Sequence, residues 1–321
     1  PMIGLVLAIQ IVLPLALLLW LALVPANSLS GYVVQAAGIA VFLFAFALVA
    51  QWAVVPWWLP RVYAALLVLA VLARLLGGHL SGLAFSPSGV SGWVQMGVSL
   101  LLLGLGSWYG SAAVAGRELP PVPVVDIADP LGPGRYLVGN GGSREVVNAH
   151  LRTLDPDVER FQAWRGQSYA IDFFGLNSWG TRAAGLRPAD PEAYAIFGSA
   201  VHAPCPGDVL AVESDMPDFR VPRQDPVNRL GNYVLLRCGD TVIVFAHMRQ
   251  GSAAVSPGQT VVSGDRLGEV GNSGASTEPH LHIHAQRPAA EGEPPVSGDP
   301  LGVTIDGRFL VRNDRIDGRN W

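Results

Sequence analysis

The first 117 residues contain no aspartate or glutamate and only three basic side chains, Arg61, Arg74 and Arg117. A stretch of that length without a carboxylate lacks the mixed charged surface that keeps a fold in water. Four apolar stretches fill it, at about Met2 to Val24, Tyr32 to Val55, Val62 to Leu76 with its flanks, and Trp93 to Ala115. Each suits a bilayer crossing, because a hydrocarbon core about 30 Å thick is spanned by about 20 helical residues. The third is the shortest, and Arg61 and Arg74 near its ends are placed to snorkel towards the headgroups. Trp52, Trp57, Trp58, Trp93 and Trp108 fall near the expected ends, as an aromatic belt requires. The first stretch has no basic n-region and no small-residue cleavage signal, so it reads as a span and not as a signal peptide. The competing reading is a set of core helices in a large soluble protein. Four spans return the chain to its starting side, but Arg61 and Arg74 would face opposite compartments and leave the orientation open.

The composition changes near Arg117. From residue 118 the chain carries all 25 acidic residues against 18 arginines, a net charge of −7. This part has no basic footprint, which sets nucleic acid aside as a partner. Pro120, Pro121, Pro123, Pro130 and Pro133 make residues 118–134 a stiff, extended linker. Beyond it, short apolar runs alternate with Gly, Pro, Asn and Asp: Tyr169 to Phe174, Gly207 to Val212, Asn232 to Leu236, Thr241 to Phe245, Gln259 to Val262, Arg266 to Val270 and His280 to Ala285. The expected organisation is an N-terminal all-α transmembrane region of four helices (1–117), the linker, and an all-β soluble domain (135–321). One weak helix is expected around Asp155 to Trp164. Cys205 and Cys238 each flank an expected strand; a disulfide, favouring an oxidising compartment, and a pair of free thiols both remain open.

Chemistry concentrates in Pro279-His280-Leu281-His282-Ile283-His284, which follows a Gly/Ser/Asn-rich loop. On a strand, alternating histidines share one face and can converge on a metal; a solvent-facing polar strand edge is the alternative. Asp172 interrupts the apolar run Tyr169 to Phe174, where a carboxylate is costly unless it is paired or metal-bound. His247 ends the apolar run Val242 to Ala246. His150, upstream, completes the set of polar residues able to meet in one site. His79 and His202 are isolated and receive no role.

From about Gly207 onward the chain resembles the M23 (lysostaphin/LytM-type) metallopeptidases. The resemblance rests on Pro204 to Val212, Gly231-Asn232-Tyr233-Val234, Phe245-Ala246-His247-Met248, the Val255, Gly258, Gln259 and Val261 pattern, Gly268 with Gly271, and the run from Gly274 through Ser276 to Pro279-His280-Leu281-His282. It implies a small antiparallel β fold of the duplicated-hybrid type, bound Zn2+, and cleavage of peptide bridges in bacterial peptidoglycan. By the same resemblance Asp172 and His282 bind the metal, while His247 and His280 act on the water and the transition state. Such a zinc site needs three protein ligands and an open position. Here the chain departs from the family, which usually has a histidine four positions before the aspartate; this chain has Ser168. His150, in Val147-Asn148-Ala149-His150, resembles an element of a divergent branch and is the expected replacement. His284 is the other candidate, although it stands where the family more often has Glu. Glu278 replaces a common Gly. Residues 135–167, with Phe161, Trp164 and Arg165, are expected to wall the cleft.

These features point to a multi-pass zinc metalloendopeptidase of the cytoplasmic membrane, its C-terminal domain periplasmic or extracellular. Expected partners are the peptidoglycan peptide, the lipid bilayer and a membrane or divisome-type protein. The alternative is a degenerate module that binds the wall or regulates another hydrolase. A transporter with an accessory domain is disfavoured, since the spans show almost no ionisable or broken-helix features.

Overall fold

The computed structural model describes residues 2–321, with side chains from Gly4 onward; Pro1, the first residue of the expected membrane region, lies outside them. The chain forms two compact units, residues 1–114 and 115–321.

In the first unit, α1 (Met2–Leu7), a π-helical turn (Ala8–Val12) and α2 (Leu13–Leu23) follow one another without a break, and α3 (Leu29–Val49), α4 (Leu59–Leu76) and α5 (Gly89–Ala115) complete the set. Four helical stretches here are long and apolar enough to cross a membrane. Their ends differ from the apolar stretches because capping decides them. Ser28 Oγ accepts the Gly31 N–H at 3.0 Å, so α3 starts before Tyr32. It ends at Val49, where Ala50 turns extended while its N–H still reaches the Phe46 carbonyl, so Val55 lies beyond it. Arg74 does not snorkel. It is buried, and its guanidinium donates to the carbonyls of Leu21 (3.2 Å) and Val24, which the end of α2 leaves without helical partners. The interior also holds amides that the apolar pattern hid: Gln95 Nε2 donates to buried Gln35 Oε1 at 2.9 Å, and exposed Asn27 donates from Nδ2 to Gln95 Oε1 at 3.1 Å. Gly106 allows α5 to approach α3, since a Cβ there would sit 2.7 Å from the Phe42 nitrogen.

The second unit is built of short strands: β1 (Val124–Ile127), β2 (Arg135–Asn140), β3 (Ile171–Gly175), β4 (Ala200–His202), β5 (Gly207–Glu213), β6 (Asn232–Cys238), β7 (Thr241–Met248), β8 (Thr260–Val261), β9 (Arg266–Glu269), β10 (Leu281–Gln286), β11 (Pro300–Ile305), β12 (Arg308–Phe309) and β13 (Arg315–Asp317). The main sheet runs β13-β2-β3-β10-β7-β6-β5-β8, with β11 joining β10, β1 and β12, while β4 and β9 form a separate pair. Every pairing is antiparallel except β1 with β11. The Pro-rich residues 118–134 are therefore not a free spacer: β1 enters the sheet, and Leu131, fully buried, bridges to Val201. The helix expected near Asp155 to Trp164 shrinks to one short turn (Glu159–Gln162) between 3-10 turns at Ala149–Leu154 and Arg165–Gln167. Cys205 and Cys238 are joined in a disulfide, Cα to Cα 6.1 Å.

Strand β10 positions the rest. Leu281, Ile283 and Ala285 enter the apolar core with Phe173 and Phe245. Strand alternation then turns His282, His284 and Gln286 to the opposite face, where segment 149–167 covers them and they too are buried. The register sets His282 abreast of Asp172 on β3 and of Ala246 on β7.

Candidate metal centre

Asp172, 5 % exposed, lies at the centre of a ring of imidazoles. Its Oδ1 is 3.0 Å from His282 Nδ1 and 3.8 Å from His280 Nε2. Its Oδ2 is 3.6 Å from His150 Nε2 and accepts the Asn140 Nδ2–H at 2.8 Å. One donor atom each from His150, Asp172 and His282 falls within 4.8 Å of the others. Burial opposes ionisation of Asp172, but His150, His280 and His282 outweigh it and hold the carboxyl well below the usual range. Burial pushes the His150 imidazole down to about 4 against the pull of Asp172. Burial, aided by His280 and His282, likewise holds His247 well below the ordinary imidazole value. At neutral pH the set is thus one carboxylate with neutral His150 and His247, the protonation state that metal binding requires.

His150 owes its place to a fold within the covering segment. Buried Asn148 caps the 3-10 turn Ala149–Leu154, and its Oδ1 accepts the His150 Nδ1–H at 3.0 Å, which leaves Nε2 facing Asp172. Ser168 does not face the carboxylate. Its buried hydroxyl shares its one proton between Thr153 Oγ1 (2.8 Å) and the Arg165 carbonyl (2.6 Å), and Thr153 donates to the His150 carbonyl (2.7 Å). The serine that stands in place of an expected imidazole therefore supports the turn carrying another one.

His247 and His280 sit on the open side. His247 ends β7 with φ of 62°, a left-handed conformation uncommon for a non-glycine residue and often found at functional sites. Its Nδ1–H donates to the Ser273 carbonyl at 3.0 Å, and the His280 Nδ1–H donates to the Glu278 carbonyl at 2.8 Å. Carbonyls only accept, so each ring, in its neutral form, carries its lone pair on Nε2. His284 lies behind the centre: its Nδ1 is 3.0 Å from His282 Nε2, and the ring is fully buried. Glu278 does not add charge to the cleft, because the Arg182 guanidinium pairs with it at 2.6 Å. Trp164 and Gln167 wall the 220 Å³ cavity over the five residues, Phe161 lines a neighbouring cavity, and Arg165 faces elsewhere. Sequence reasoning missed Asn140, Thr153, Arg182 and Arg229, none of which carries a local signal.

Residues 192–294 match the family model for peptidase family M23. The chain carries an M23 domain. The matched residues include His247, His280 and His282, whereas His150 and Asp172 come from the segment ahead of them. The cell division protein DipM of Caulobacter vibrioides is 30% identical over 122 residues, 38% of this chain and 17% of that protein. The chain thus spans about one-sixth of the length of that curated relative. The M23 domain is also similar to the catalytic domain of lysostaphin from Staphylococcus simulans (23% identity, 38% of this chain and 68% of that one, TM-score 0.25). A putative M23 peptidase from Pseudomonas aeruginosa matches at 19% identity over 56% of this chain and 53% of that one, TM-score 0.27.

Proposed function

We propose that this M23-domain protein is a zinc endopeptidase, anchored in the cytoplasmic membrane by its apolar helices, that hydrolyses peptide cross-links of bacterial peptidoglycan. The observation that carries the reading is the convergence of His150, Asp172 and His282 below two imidazoles whose Nδ1–H groups are tied to backbone carbonyls. The donor set fits zinc: His150 Nε2, an Asp172 oxygen and His282 Nδ1 would supply the three protein ligands that a catalytic zinc site uses. His284, by accepting from His282 Nε2–H, would keep the Nδ1 lone pair of His282 turned to the metal. When bound, zinc supplies Lewis acidity and lowers the pKa of water towards neutrality.

The chain's own residues do the rest. His247 and His280, lone pairs on Nε2, take the proton of the attacking water and return it to the leaving amine as the amide C–N bond breaks. Once protonated, an imidazole beside the scissile carbonyl also stabilises the oxyanion that develops there. The Cys205–Cys238 disulfide supports an oxidising, periplasmic or extracellular setting for the M23 domain. The likeness to a cell division protein supports a divisome-type partner for the apolar helices.

The test is zinc content and release of peptides from purified peptidoglycan, measured on the full chain in detergent beside Asp172→Ala and His280→Ala. About one zinc per chain, lost with Asp172→Ala, and cleavage lost with either variant support the enzyme. Absence of cleavage by the parent chain favours a degenerate module that binds the wall or governs another hydrolase.

A further inference from the structure

From residue 118 on, acidic side chains outnumber arginines by 25 to 18. The cavity over the candidate metal centre runs against that balance. Its only carboxylate is Asp172, which is turned in among the imidazoles, and its cation is Arg229. The Arg229 guanidinium lies 5.3 Å from the centre of the Trp164 ring, and none of the ion pairs among the described residues uses it.

Its backbone is held by the segments that hold the candidate catalytic rings. The Ala275 N–H donates to the Arg229 carbonyl at 2.9 Å, and the His247 N–H donates to the Leu230 carbonyl at 2.9 Å. Trp164, Gln167 and Arg229 also line a second cavity of 390 Å³, whose other residues include Arg160 and Phe161 and no acidic side chain. Arg160 lies over Phe161, 5.2 Å from the ring centre. Both guanidinium groups therefore lie over an aromatic ring. Contact of this kind orients the guanidinium while its N–H edge remains free to take a carboxylate with two parallel hydrogen bonds.

We propose that the two cavities form one extended peptide groove in which Arg229, with Arg160 beyond it, reads a free carboxylate of the substrate beside the amide to be cut. The substrate class is then an anionic peptide and not its amidated or uncharged counterpart. The inference rests on the peptide-binding reading of the same site but not on hydrolysis.

The experiment uses the full chain in detergent and two probes: a synthetic stem peptide of peptidoglycan with its carboxylates free, and the same peptide with them converted to amides. Affinity is measured by calorimetry and cleavage is followed separately. The parent is expected to bind the free-carboxylate peptide about fivefold to tenfold more tightly. Arg229→Ala should bring the ratio to near one, and Arg229→Lys, which keeps the charge but loses the fork, should leave an intermediate ratio. Equal affinities in the parent, no measurable binding of either peptide, or a ratio that survives the Arg160→Ala, Arg229→Ala double variant would overturn the proposal. A preference without cleavage would sink the hydrolase reading and leave this inference standing; cleavage with no preference would do the reverse.

Discussion

Ser168 illustrates how a side chain can serve a metal centre without touching it. Its hydroxyl, the Thr153 hydroxyl and the His150 carbonyl form one chain of short hydrogen bonds, so Ser168 acts on the position of His150. Restoring a histidine there would break that chain in a site with no exposed surface. Ser168→His is therefore expected to lower zinc content, where a simple lost-ligand view predicts a gain. His150→Ala should abolish stoichiometric zinc. Asn148→Ala, which frees the His150 ring, should weaken zinc affinity about 10- to 100-fold, the usual range for an outer partner of a ligand. Zinc per chain after dialysis against graded chelator checks all three, and an unchanged His150→Ala would refute the ligand assignment.

Among the elements, the loop between β3 and β4 reaches the site through one contact. Arg182, 3 % exposed, donates to Glu278 through Nε at 2.7 Å and Nη2 at 2.6 Å, and the Glu278 carbonyl fixes the His280 ring. Glu278→Ala leaves a buried guanidinium without its carboxylate and is expected to cost about 3–5 kcal/mol. Denaturant melts of that variant and of Arg182→Ala, Glu278→Ala together test the pair: the double variant should recover part of the loss. The disulfide ties the start of β5 to the end of β6 over a separation of 33 residues. Cys205→Ser with Cys238→Ser should lower stability by about 2–4 kcal/mol, read as a lower melting point that reductant no longer shifts.

At the scale of the whole molecule, the buried imidazoles link stability to pH. His150 titrates near 4 in the fold, and burial holds His247 and His284 well below their ordinary value. The unfolded chain takes up these protons near 6.5, so unfolding binds protons as the pH falls from about 6.5 towards 4. The metal-free protein should lose about 1.4 kcal/mol per pH unit for each such histidine in that window. Asp172, with its depressed pKa, adds a further loss only below about 4. Melting in chelator between pH 7 and pH 4.5 checks the slope, and a flat profile would mean that the imidazoles are solvated. Orientation also belongs to this scale: labelling of a cysteine introduced at Arg223 in intact cells should succeed if the M23 domain faces outwards and fail if it faces the cytoplasm.

The sequence by itself determined the apolar helices, the principal strands and His280, His282 and Asp172 as candidates, because those signals are local. About 20 apolar residues without a carboxylate state their preferred solvent wherever they fold, the short apolar run Thr241 to Phe245 states a buried strand, and alternation in His280 to Ala285 states a strand's two faces. What depended on distant partners was decided only by the tertiary structure. Val124–Ile127 sits among prolines and becomes a strand only because Gly302–Ile305 offers it an edge. Arg74 looks like an end-of-helix charge until the carbonyls of Leu21 and Val24 meet it. His150 was nominated through the resemblance, but its aim at Asp172 follows from Asn148, Thr153 and Ser168. The Arg182–Glu278 pair joins residues 96 apart. A residue's chemistry and its preference for water or for apolar surroundings are its own; the neighbours that fix its tautomer, charge and direction arrive from elsewhere in the chain when the sheet closes.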